Sequence, residues 1–199
     1  MSPRPDVSEE RKSQIIESAI QVFSRLGFNK ARMDDIAEET NLSKGTLYLY
    51  FKSKDDLITA IIGALFDGQF EKMLGADYSQ LPAATCLMQL TDEVVKNTQS
   101  LITVRPIIYE VYAASFRQKL VREVMKSYYG RYLDFVIPII QKGIDDGEFY
   151  PTDAETVAIA TSAIIEGTIL MWVYDPDRVD LPRHIHDSMQ LFLNGIKHA

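Results

Sequence analysis

Along the 199 residues, apolar side chains recur at intervals of three and four, and no stretch alternates strictly between apolar and polar. That period belongs to helices that lay one face against a core. Ile15, Ile16, Ala19, Ile20 and Phe23 mark a first helix over about residues 9–26, with Gly27 as its stop. Two short helices follow, over about residues 34–40 and 44–51. Ser53 and Asp56 stand at capping-box spacing, with Asp in place of the usual Glu or Gln. They open a longer helix carrying Leu57, Ile58, Ile61, Ile62, Leu65, Phe66, Phe70 and Met73. Pro82 marks the first turn of another helix, and Pro106 stands near the start of the next. Residues 119–145 form a long periodic segment in which Pro138 predicts a kink or break. A turn over 145–151 is closed by a second capping box, Thr152-x-x-Glu155. The last helices cover about 153–174 and 181–197, separated by Asp175-Pro176-Asp177. The predicted class is all-α, with about nine helices: a three-helix unit in residues 1–53, then a helical bundle in 54–199.

The most informative stretch is Asp34–Phe51, whose two short helices and tight joint fit a helix-turn-helix. Ala37 is small where the helices must touch. Asn41 sits where the backbone needs a left-handed residue, a conformation asparagine tolerates better than most. Leu42 is expected to plug the core beneath the turn, and Ser43 to cap the following helix. Leu47 and Phe51 give that helix an inward face, leaving Lys44, Thr46, Tyr48 and Tyr50 outside. Such a set suits the major groove: Lys44 for guanine acceptors or phosphate, Thr46 for a thymine methyl or phosphate, and tyrosine hydroxyls for phosphates. Gly45 would let the backbone come close to a duplex. Lys54, opening the next helix, is expected to hold one more phosphate.

Charge narrows this further. The net charge of −7 has the wrong sign for general nucleic-acid binding, so any DNA contact must be local. Arg25, Lys30, Arg32, Lys44, Lys52 and Lys54 supply such a patch. The single cysteine, Cys86, cannot form an internal bridge and fits a reducing, cytoplasmic setting. The start lacks a secretory pattern, and the most apolar run, 154–173, is interrupted by Glu155, Thr161, Glu166 and Gly167; no membrane association is expected. No phosphate-binding glycine loop, nucleophile elbow or metal-ligand spacing stands out, so neither an enzyme nor a cofactor is expected. His184 and His186 are one residue apart, a poor spacing for a shared metal on a helix.

With these residues in view, Ile15–Leu57 resembles the N-terminal domain of the TetR/AcrR family of transcriptional regulators. The likeness is carried by Ala19, Phe23, Gly27-Phe28, Asp35-Ile36-Ala37, the run from Leu42 to Tyr48, Tyr50-Phe51 and Lys54-x-x-Leu57. It implies DNA contacts at Thr46, Tyr48, Tyr50 and Lys54. Arg32 stands where the family usually has a capping Ser or Thr, so that cap is lost or moved and the arginine could take over a phosphate contact. The DNA-binding set is therefore Arg32, Ser43, Lys44, Gly45, Thr46, Tyr48, Tyr50 and Lys54. The resemblance further implies a repressor, bound as a homodimer to palindromic operator DNA and released by a small-molecule effector held in the C-terminal domain. The alternative is an effector-independent DNA-binding protein acting through protein partners.

The bundle offers candidates for both roles. Ala160, Ala163 and Gly167 let helices approach closely, and with Ile164 and Leu170 they would meet a second subunit. The last helix adds Ile185, Met189, Phe192 and Ile196 to that interface. Phe66, Met88, Tyr109, Tyr112, Met125, Tyr128, Tyr132 and Trp172 would suit an apolar or aromatic effector, although plain core packing explains each alone. Glu166, a carboxylate in apolar sequence, is expected either to meet a ligand's polar group or to pair at the interface.

Overall fold

The computed structural model describes residues 7–75, 78, 80–96 and 98–198. Among them are nine α-helices and no strand: α1 Val7–Lys30, α2 Met33–Thr40, α3 Lys44–Tyr50, α4 Lys54–Gly75, α5 Ala83–Lys96, α6 Thr98–Arg117, α7 Lys119–Asp145, α8 Ala154–Tyr174 and α9 Leu181–Ile196. The chain divides into two compact units, Met1–Asp67 with Val104–Met125, and Gly68–Thr103 with Lys126–Ala199.

In the first unit α1 does not stop at Gly27. It kinks there, with φ 77° and ψ 159°, then adds one more turn to Lys30. Ile15, Ala19, Val22 and Phe23 of α1 are buried with Ile36, Leu47, Leu57, Ile58, Ile61 and Ile62. Phe23 meets Phe28 edge to face at 5.0 Å. From the second half of α6, Ile107 and Val111 are buried as well. The side chains of Phe70 and Met73 lie outside the described residues.

In the second unit α9 packs on α5 and α8. Its stripe Leu181, Ile185, Met189 and Leu193 is buried, the four-residue step of one helix face. Leu87, Leu90, Val136, Ile140, Phe149, Val157 and Ala158 complete the main core, and Trp172 joins Leu181 and Ile185 in a smaller cluster. The α7–α5 approach is close. A Cβ on Gly143 would stand 2.6 Å from both the Ala83 methyl and the Phe149 ring. Past the turn, the Glu148 carboxylate accepts from the Ala83 and Ala84 amides at 2.6 and 3.0 Å, capping α5 from 64 residues away. The backbone of 148–150 is also stitched to the chain's tail: Tyr150 N–H donates to the Ile196 carbonyl and His198 N–H to that of Glu148, each at 2.9 Å.

Three sequence expectations need correction. Pro106 lies inside α6, not near its start, and α7 runs through Pro138 without a break. A proline costs a helix one hydrogen bond and some crowding, which packing along the rest of a long helix offsets. The second capping box is displaced by one residue: Asp153, not Thr152, is the N-cap, and its carboxylate accepts from Thr156 N–H at 2.7 Å. Carboxylate and hydroxyl caps serve the same orphan amides, so spacing alone did not choose between neighbours.

Candidate DNA-binding interface

The turn between α2 and α3 is built from backbone hydrogen bonds and one left-handed residue. Asn41 takes φ 54° and ψ 32°, the sole positive φ at a non-glycine residue among those described. Its N–H reaches the Glu38 carbonyl at 3.1 Å, and Leu42 N–H reaches that of Ala37 at 3.0 Å. The second bond is the long closing bond of a Schellman ending, which satisfies a carbonyl the helix leaves open. Thr40 turns its hydroxyl back onto the carbonyls of Ile36 and Ala37 at 2.9 and 3.0 Å, so burying it leaves nothing unpaired. Ser43 caps α3 by accepting Thr46 N–H at 3.0 Å, and its hydroxyl lies 2.8 Å from that of Thr46.

Arg32 starts α2 without a side-chain cap. Asp35 replaces half of the missing box by accepting Arg32 N–H at 2.7 Å. At the head of α4 Ser53 accepts Asp56 N–H at 3.0 Å, but in the reciprocal bond the Asp56 carboxylate accepts from Lys52 N–H, one residue earlier than expected.

With that corner set, α3 faces two ways. Leu47 is fully buried and Phe51 nearly so, while Lys44, Gly45, Tyr48 and Leu49 are exposed and Thr46 and Tyr50 half-buried. Leu49, 73% exposed, was overlooked in the sequence because an aliphatic residue reads as core. Its place two residues from the buried Leu47 puts it on the opposite side of the helix. Around Gly45 a Cβ would meet only the Ser43 hydroxyl, at 3.8 Å, so the helix backbone is open to close approach.

The cations are more engaged than the sequence implied. Lys44 pairs with Asp34 at 2.5 Å across the turn; that hydrogen bond and the carboxylate's charge raise the lysine pKa above its ordinary value. Arg25 pairs with Glu39 at 3.0 Å, and both pairs are exposed enough to exchange partners readily. Lys54 departs furthest from expectation. Its ammonium donates to the carbonyls of Phe28, Ala31 and Asn29 at 2.6, 3.2 and 3.4 Å, closing the C-terminal end of α1 instead of facing outward. A lysine has three donors, and all three point at the protein. Among the described residues Lys30 and Arg32 have no anionic partner.

Charge is divided unevenly along the chain. The unit carrying α1–α3 has 13 Lys and Arg against 13 Asp and Glu, so the net −7 falls wholly on the other unit.

The other expected sites fare differently. On α8, Ala163 is exposed and Ala160, Ile164, Gly167 and Leu170 are half-buried; Ile159, Met171 and Tyr174 are exposed beside them. The helix is long and apolar enough to cross a membrane by length and composition, and only 22% of its apolar window is buried within the chain. On α9 Phe192 and Ile196 are half-buried, but Ile185 and Met189 belong to the protomer's own core at 0% and 2% exposure and cannot face a partner. They share the inner stripe with Leu181 and Leu193, and the apolar residue actually outside is Leu191, 74% exposed. A cleft of about 350 Å³ at one end of α8 and α9 is lined by Tyr150, Val157, Ala160, Phe192 and Ile196 among others.

None of the expected effector residues lines that cleft. In the second unit Trp172 is buried in the core, Met88 and Tyr128 are half-buried, and Tyr132 is bonded through its hydroxyl to that of Thr161 at 2.7 Å. Burial lifts the Tyr132 phenol to a pKa of about 12 despite the opposing effect of that bond. Glu166 is exposed, so the desolvation that singled it out does not arise. In the first unit Tyr109 is 57% exposed, and Phe66, Tyr112 and Met125 are half-buried.

A helix-turn-helix with an outward second helix, in a charge-balanced unit of an all-helical chain, defines a DNA-binding regulator. Comparison with known proteins names the group. Residues 15–61 match bacterial regulatory proteins of the tetR family, and residues 83–191 match the C-terminal region of BetI-type transcriptional repressors. The chain belongs to the TetR family. Among relatives, it is 28% identical over 205 residues to the HTH-type transcriptional regulator YfiR of Bacillus subtilis strain 168, covering 100% of this chain and 98% of that one. A TetR transcription regulator from Haloarcula marismortui ATCC 43049 superposes with a TM-score of 0.82 at 18% identity, covering 96% of this chain and 100% of that one. The transcriptional regulator FadR from Bacillus subtilis, solved with stearoyl-CoA, gives 0.74 at 22% identity, over 92% and 98%.

Proposed function

We propose that this protein is a cytoplasmic repressor that binds a palindromic operator as a two-fold dimer and is released when a small apolar or amphipathic effector binds its C-terminal domain. Residues 1–53 would form the DNA-reading domain and 54–199 the effector and dimer domain. The observation that carries the reading is the Asn41 corner, which buries Leu47 and leaves Lys44, Tyr48 and Leu49 outward on one short helix. Thr46 and Tyr50 would add polar contacts at the same groove, with Ser43 and Arg32 at its phosphate edge. Lys44 would exchange its exposed Asp34 partner for a phosphate or a guanine.

A palindromic site needs two readers related by a two-fold axis. The outer face of α8, with Ala163 and Gly167 at its centre, and the Phe192–Ile196 side of α9 are the surfaces proposed to meet a second copy. The stearoyl-CoA complex of FadR is consistent with an effector carrying an apolar part, as are Met88, Tyr128 and Tyr132 here. Effector binding would act through α4, which runs from the reader into the body, by favouring one spacing of the two recognition helices over another.

Selection of bound duplexes from a random pool tests the reading. A palindrome with half-sites about one helical turn apart is expected. Replacing Lys44 with Ala should then weaken binding about tenfold and lower the log–log salt slope by about one, the signature of one lost phosphate contact. Enrichment of no sequence, with a slope near zero for the unaltered protein, would remove it.

A further inference from the structure

We propose that Glu110, on α6, is a positioning residue for the DNA-reading helices. This rests on the DNA-binding reading above and adds a second arm to it, beside α4. The Glu110 carboxylate accepts the Phe28 N–H at 2.9 Å, and the Lys54 ammonium of α4 donates to the carbonyl of the same residue at 2.6 Å. One residue is thus gripped on both backbone polar groups, by an anion from α6 and a cation from α4. Hydrogen bonds to charged partners are stronger than neutral ones and hold their geometry more tightly.

The site is shaped to admit the carboxylate. Gly27 has φ 77°, and a Cβ there would lie 3.2 Å from one Glu110 oxygen and 3.3 Å from the other. The Phe28 side chain is buried against Phe23, so the gripped residue cannot slide independently of α1. Five residues later α2 begins, and the Asn41 corner joins it rigidly to α3. A displacement of α6 would therefore be delivered to the groove-facing helix through Phe28. A carboxylate that only steadied the kink would change melting and nothing else.

The test uses full-length protein and a duplex selected by the unaltered chain. Glu110→Ala should weaken binding about tenfold, the worth of one charged hydrogen bond, with an unchanged salt slope because no phosphate contact is lost. Hydrogen exchange at the Phe28 amide should accelerate in the same variant. Glu110→Gln keeps an acceptor, so it should retain Phe28 protection and bind within about threefold of the unaltered protein. Full affinity in Glu110→Ala with a freely exchanging Phe28 amide would overturn the proposal. Should that variant not fold, Glu110→Gln decides: a tenfold loss with the amide still protected overturns it equally. An unaltered protein that binds no selected duplex ends the DNA-binding reading and this arm together, whereas its binding beside an unaffected Glu110→Ala removes the arm alone.

Discussion

The unit that carries the reader and the unit that carries α8 and α9 spend their exposed surface in opposite ways. On α3 the exposed positions are a cation, a glycine, a tyrosine and one leucine, in a unit whose charges cancel. On α8 and α9 the exposed positions include Ile159, Met171, Tyr174 and Leu191, in a unit that holds the whole net charge of −7. Mixed polar and small groups suit a hydrated, anionic partner; several exposed apolar side chains, here with the exposed Glu166 among them, suit a drier one. The two surfaces therefore differ in the way the two occupants proposed for them differ, DNA for one and a second copy for the other.

The contrast can be broken most directly at the apolar face. Ala163→Glu would place a carboxylate on each copy at the proposed two-fold contact, one turn from Glu166. Dimer dissociation should strengthen by about a hundredfold or more, since an unpaired charge is costly to desolvate. Sedimentation at micromolar concentration reads the outcome, and an undisturbed dimer would move the interface elsewhere.

A second effect, confined to the acidic unit, comes from Tyr132. Its folded pKa of about 12 lies above the ordinary value of 10.0, so the folded state holds the phenolic proton more tightly. Stability is then fully present below pH 10 and lost as pH rises toward 12, by about 2–3 kcal/mol. Tyr132→Phe should flatten that alkaline limb in chemical denaturation; an unchanged limb would show that the phenol is wetter than its burial implies.

The finest comparison applies one substitution to two glycines. Gly143→Ala forces a methyl into Ala83 and Phe149 and should cost about 1–3 kcal/mol of stability. Gly45→Ala meets open space and should stabilise α3 by up to about 1 kcal/mol, while operator affinity falls because the methyl stands between backbone and duplex. Thermal melting and a binding isotherm for each variant separate the two effects.

Sequence and structure agree best where the determinants are local. Asn41, Ser43 and Ser53 each act on partners within four residues of themselves, so spacing was enough to place the corner, the cap of α3 and the Ser53 cap at the head of α4. The misses share the opposite property. Glu110 reaches Phe28 across 82 positions, and Glu148 reaches α5 across 64. Lys54 was expected at a phosphate because nothing nearby in sequence foretold that the carbonyls of Phe28, Asn29 and Ala31, at and just past the end of α1, would surround it. Ile185 and Met189 were assigned to the partner because periodicity shows that a helix has an apolar face without showing what lies against it. Leu49 and Leu191, both exposed, were given no role by the sequence, because periodicity does not single out an apolar residue that stands off the apolar face.

The pairing of 148–150 with 196–198 makes residues 196–198 a fastener for that turn. Trimming the chain before Ile196 would unbutton Tyr150, leave the Glu148 peptide oxygen without its amide, and slacken the loop that delivers the Glu148 carboxylate to α5. Any affinity handle or fluorescent fusion is better joined beyond His198 than in place of it.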